Sequence, residues 1–135
     1  MITVDTNIIV CLFIPGEYSA LSENVFEKDS FWIAPLLWQS EFRSVLAKYM
    51  SQRSMSLSTA LKIGAKAQEL LQNREFPVSN HDVLPLGAQS QCSTYDCEFV
   101  AVAQAFQTHL VTFDRQILKN FPAIAIHPEN FISMI

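Results

Sequence analysis

The strongest constraint on the fold is a set of short, largely apolar runs set between stretches of helical periodicity. The runs are residues 2–5, Phe31-Trp32-Ile33-Ala34, a shorter Phe76-Pro77-Val78, Leu110-Val111-Thr112-Phe113 and Ala123–Ile126. A strand with one wet face alternates apolar and polar residues. These runs do not, so they read as strands buried on both faces of a parallel sheet. Pro35 is expected to close the second run.

Helices are expected at 6–13, 18–29, 36–52, 57–73, 81–91, 95–107 and 115–120, with Pro15-Gly16 breaking the first from the second. In 36–52, Trp38, Phe42, Val45 and Tyr49 share a face. In 57–73, Lys62, Lys66, Glu69 and Asn73 form the polar face, and Leu57, Leu61, Gly64 and Leu71 are expected to point inward. Residues 95–107 are apolar almost all round, which marks a central buried helix. The expectation is an α/β fold with helices on both faces of a parallel sheet.

The 135 residues suit one domain, 1–135. Half are apolar and 16% are charged, against about a quarter in a typical soluble domain. That deficit points to apolar surface covered by a partner. The net charge of −4 argues against tight non-specific binding to nucleic acid through a basic surface, but not against an acidic, metal-binding site. Cys11, Cys92 and Cys97 form no CxxC and read as free thiols in a reducing compartment. The first fourteen residues contain Asp5 and no basic group, unlike a leader. No apolar run reaches the ~18–20 residues of a membrane span, so a cytoplasmic location is expected.

In parallel sheets, ligands bind at the carboxyl ends of strands. Asp5 and Asp114 each end a strand, although each also precedes a helix and would make a good N-cap. Ser93 and Asp96 fit a capping box, yet helical spacing sets Asp96 near Phe99 and Ala103 on a buried face. Glu41 lies mid-helix beside Leu37, Trp38 and Val45, where capping cannot explain it. An ionised carboxylate there costs several kcal/mol unless a cation or donors meet it. Arg43 and Lys48 point elsewhere on the same helix, leaving a salt bridge from another segment as the alternative.

Four acids thus come from four elements, and none of the nine lysines and arginines lies within three residues of Asp5 or Asp96. If they converge, their charges repel unless a divalent cation binds. Hard oxygen donors select Mg²⁺ or Mn²⁺ over zinc. Such an ion acidifies a bound water and stabilises charge on a phosphoryl oxygen, so a phosphodiester is cleaved without a protein nucleophile.

Other chemistries have less support. His81, His109 and His127 are dispersed, with no HExxH, no glycine-rich phosphate loop and no GxSxG. Trp32 and Trp38 follow core spacing rather than that of base-stacking platforms. A phospho-acceptor domain would need a lysine near its aspartate, but none precedes Lys28 and none lies between Lys66 and Lys119.

The matching pieces are Val4-Asp5-Thr6-Asn7, Glu41 in the helix after Pro35, Ser93-x-Tyr95-Asp96 with Phe99-Val100-Ala101-x-Ala103, and Val111-Thr112-x-Asp114 with Arg115. In this order and spacing the chain resembles the PIN-domain nucleases, and among them the VapC-type toxins of bacterial toxin–antitoxin pairs. The resemblance implies a PIN-like three-layer α/β/α fold with a short central parallel sheet. It also implies a Mg²⁺/Mn²⁺-dependent endoribonuclease whose metal site is Asp5, Glu41, Asp96 and Asp114. Asn7 and Thr112 would orient ligands or water, and Ser93 would support Asp96. The toxin branch implies a homodimer that acts on RNA and is inhibited by a small antitoxin inserted into the site. No acid is missing; Glu98 is an extra one at the edge. Arg43, Lys48, Arg53 and Arg115 are candidate phosphate contacts, with solvated surface charge as the plainer explanation. The alternative is a catalytically silent PIN-like module that acts through protein–protein binding.

Overall fold

A computed structural model describes residues 1–135. The elements in chain order are β1 (Ile2–Val4), α1 (Thr6–Phe13), α2 (Ser19–Lys28), β2 (Trp32–Pro35), α3 (Trp38–Ser51), α4 (Leu57–Leu71), β3 (Glu75–Phe76), α5 (Asn80–Gln89), α6 (Thr94–Phe106), β4 (Leu110–Val111), α7 (Arg115–Asn120), β5 (Ala125–Ile126) and α8 (Pro128–Ser133). The five strands lie in the order β3-β2-β1-β4-β5, all parallel.

β1 is central, with Thr3 in register with Ile33 on one side and Leu110 on the other. The order runs outward from β1 in both directions, so the crevice at the carboxyl ends of β1 and β4 is the topological switch point where such sheets bind ligands. Asp5 and Asp114 emerge there. The runs expected to be buried on both faces are so: Val4, Trp32, Ile33, Ala34, Leu110 and Val111 are fully enclosed. α6 packs across β1, β2 and β4, burying Cys97 and Phe99 through Ala103 as its composition predicts.

Pro35 is the last residue of β2 and closes it from within. The ladder to β3 is carried by the amides of Ala34 and Leu36, which donate to Arg74 and Phe76, so the missing N–H of Pro35 interrupts nothing. β3 sits at Glu75–Phe76, ahead of Pro77, and β5 is confined to Ala125–Ile126 because Ile124 and Ala125 bond back to Phe121 in a turn.

The inward face of α4 differs from expectation. Leu57 and Leu61 are 59% and 64% exposed, whereas Leu71 is buried as expected and Ala60 and Ala67 are buried with it. Small alanines let the helix approach its neighbours closely, and Leu61 is left lining a groove between α3 and α4. The helix α8 has no counterpart in the sequence expectations. His127 caps its first turn, and its other end is gripped by Lys28 Nζ, which donates to the carbonyls of Phe131 (2.6 Å), Ile132 (3.2 Å) and Met134. Trp32 and Trp38 are core residues, and the three cysteines are free. No helix is long and apolar enough to cross a membrane.

Candidate active site

Asp5 leaves β1 and caps α1, its Oδ1 accepting from the Thr6 amide at 2.7 Å. Its Oδ2 accepts from Thr112 Oγ1 at 2.7 Å and from Asn7 Nδ2 at 3.3 Å. Thr112 in turn accepts from the Asp114 amide (2.9 Å), and Asn7 Oδ1 accepts from the Phe113 amide (3.4 Å). One network therefore ties the end of β1 to the end of β4. Asp114 caps α7 by accepting from the Ile117 amide at 3.0 Å. Ser93 caps α6 by accepting from the Asp96 amide at 3.1 Å, which leaves the Asp96 carboxylate at the first turn of that helix. Glu41, half-buried on α3, accepts from Thr6 Oγ1 at 2.6 Å.

Capping and convergence are not rival explanations here. Asp5, Glu41, Asp96 and Asp114 all line one open cleft of about 580 Å³ at the switch point, and the two strand-end aspartates also cap helices. Each cap fixes one oxygen, leaving the rest of the carboxylate for the cleft or the network.

The electrostatics are one-sided. Burial pushes Asp5 up from 3.8 to about 7, with hydrogen bonds from Thr112 and Thr6 opposing and the charges of Glu41 and Asp96 adding. Burial also raises Glu41, opposed by the Thr6 hydroxyl and reinforced by Asp96 and Glu98. Asp96 is raised by burial and then by Asp114, and Glu98 by burial. No lysine or arginine lines the cleft, and the ion pairs of the molecule lie elsewhere, at Met1–Asp29 and His81–Asp82.

An all-oxygen, uncompensated donor set fits a hard divalent cation and not zinc. No three His, Cys, Asp or Glu side chains form a ready-made cage.

Thr6 is the site residue that sequence reasoning passed over. Its amide serves Asp5 and its hydroxyl serves Glu41. The available signal was an unpaired mid-helix acid, which requires a donor from some other element. Cys11 and Ser44 also reach the cleft unanticipated. Of the candidate phosphate contacts, Arg43 bonds Gln39 on its own helix and lines the α3–α4 groove instead. Lys48, Arg53 and Arg115 are exposed outside the cleft lining. Glu98 lies close enough to raise Glu41 without lining the cleft.

No protein-family model matches the chain. Ribonuclease VapC3 of Pyrobaculum aerophilum is 26% identical to it over 136 residues, spanning 91% of this chain and 96% of that protein. By sequence, the chain is similar to a VapC-type ribonuclease. A solved toxin–antitoxin complex from Klebsiella pneumoniae contains a chain of the same fold, with a TM-score of 0.65 at 17% identity over 95% of this chain and 98% of that one. The fold is PIN-like, and the VapC-type resemblance runs through nearly all of both chains rather than through the acid motifs alone.

Proposed function

We propose that this chain is a divalent-metal-dependent endoribonuclease that hydrolyses RNA phosphodiester bonds and acts as the toxin of a toxin–antitoxin pair. The observation that carries this reading is the cleft itself: carboxylates from four elements meet with no basic side chain among them. The ribonuclease relative and the toxin–antitoxin neighbour support it from outside.

Asp5, Glu41, Asp96 and Asp114 would hold Mg²⁺ or Mn²⁺. The ion would supply positive charge to the phosphoryl oxygens and acidify a bound water. The chain's own residues do the positioning. Thr112 and Asn7 lock the Asp5 carboxylate, and Ser93 fixes the turn that presents Asp96. Thr6 donates to Oε1 of Glu41 and so orients that carboxylate in the cleft.

An antitoxin and a second copy of the chain are the proposed partners, and exposed Leu57, Leu61 and Leu84 offer apolar surface for them. Buried free cysteines suit a reducing cytoplasm. The same exposed leucines favour the second reading, a silent PIN-like module that works only through such contacts. Titrating Mn²⁺ or Mg²⁺ into an RNA-cleavage assay separates the two. The nuclease should be activated by the ion, and Asp5→Asn and Asp96→Asn should each lose at least about 100-fold, the order expected when charge stabilisation is removed. Variants as active as the parent would sink the metal-site assignment, and no ion-dependent cleavage would leave the silent module.

A further inference from the structure

The groove between α3 and α4 shares no lining residue with the acidic cleft. Trp38, Phe42 and Leu46 line it from α3, and Ala60, Leu61 and Gly64 from α4. Its volume of about 200 Å³ is below the ~300–1,000 Å³ usual for a small-molecule site. Leu61 stands exposed at the groove, and Leu57, one turn earlier on the same helix face, is exposed as well. Gly64 keeps the α4 wall low. Its φ is not positive, and a Cβ there would meet nothing nearer than Leu46 Cδ1 at 3.7 Å, an ordinary contact. Packing would accept an alanine, which helices prefer. The glycine therefore serves the open groove rather than the fold.

The charges around the groove select its occupant. Five of the nine lysines and arginines fall in residues 42–68, a stretch without a single aspartate or glutamate. They are Arg43, Lys48, Arg53, Lys62 and Lys66, all exposed and none in an ion pair. Arg43 follows Phe42 on α3 and Lys62 follows Leu61 on α4, so a cation stands on each bank of the groove. The rest of the chain holds all 13 acids. A second copy docked here about a two-fold axis would set this basic hairpin against itself. RNA would meet the cations but leave the exposed leucines uncovered. An amphipathic helix with an apolar stripe and acidic flanks matches both features. We propose, resting on the antitoxin partner inferred above, that the α3–α4 groove docks an acidic amphipathic helix of that partner.

The probe is a labelled helical peptide of about 20 residues, with leucines at helical spacing and glutamates on either side of them. A control peptide carries lysine in place of each glutamate. In fluorescence anisotropy at about 50 mM salt, the glutamate peptide should bind at least about tenfold more tightly than the control. The double variant Arg43→Glu/Lys62→Glu should reverse that order. Leu61→Asp, at an exposed position, and Gly64→Leu, which fills the groove, should each weaken the glutamate peptide at least about tenfold. Melting curves establish that the variants are folded. Equal affinity for the two peptides, or binding indifferent to Leu61→Asp and Gly64→Leu, would overturn the proposal. So would a dimer in sedimentation that Leu61→Asp turns into monomers, which would give the groove to a second copy. A KM for a single-stranded RNA dodecamer that rises about tenfold in the double variant, with peptide binding unchanged, would give the hairpin to RNA instead. The peptide readout involves no catalysis, so its failure is distinct from a failure of RNA cleavage.

Discussion

Thr6 directs both of its donors at carboxylates, the amide at Asp5 and the hydroxyl at Glu41, so a single residue sets the distance between two like charges. Holding them there has a cost that shows as a pH dependence. Asp5 titrates near 7 in the fold against an ordinary 3.8. Between those values the folded chain keeps a proton that the unfolded chain has lost, so stability falls as pH rises through the window and levels off above it. Glu41, Asp96 and Glu98 shift in the same direction. In EDTA, the melting temperature should therefore be higher at about pH 5 than at about pH 8, and Mn²⁺ should narrow the gap at the higher pH. A melting temperature that rises with pH in EDTA would show that the acids do not strain the fold.

At the level of elements, α8 depends on a contact with α2 that no local signal announces. Lys28 satisfies the last carbonyls of that helix and lies 5.1 Å over the Phe131 ring. A cation at a helix carboxyl end is favourable, and hydrogen bonds to charged groups are worth about 1.5–3 kcal/mol when buried. Part of this contact is exposed, so Lys28→Met should cost about 1–2 kcal/mol, with faster amide exchange confined to α8 at first. Unchanged exchange there would mean that Phe131 packing alone holds the helix. The misassigned face of α4 has a related cause. Its sequence carries two apolar stripes, one through Leu57 and Leu61 and one through Ala60, Ala67 and Leu71. Periodicity ranks Leu57 and Leu61 above the alanines, whereas the close approach of α4 to its neighbours selects Ala60 and Ala67, with Leu71 inward as expected.

For the whole molecule, net charge and the distribution of the basic residues give a functional consequence. A protein that binds RNA through many phosphate contacts loses roughly 10³–10⁵ in affinity between about 50 and 200 mM salt. With no basic side chain lining the cleft, this chain should lose less than about tenfold over the same range, measured as KM for RNA cleavage at fixed Mg²⁺. A steep slope would place Arg115, Lys48 or Arg53 on the substrate path after all.

The alternation of enclosed strands and helices, and the acids at the ends of β1 and β4, follow from the sequence alone. Burial on both faces leaves a strand without polar alternation, and a strand end leaves a position open to a charged residue. These are properties of a few consecutive residues. The partners of those acids are not. Thr6 and Glu41 are 35 positions apart, and Thr112 and Asp5 are 107 apart. Only the strand order, which seats β2 and β4 on either side of β1, brings them within hydrogen-bonding distance. Glu41 was legible as an acid in need of a partner. The tertiary structure decided that Thr6 meets one of its oxygens and that the other three acids share its cleft, because that juxtaposition depends on how the sheet is assembled rather than on any local pattern.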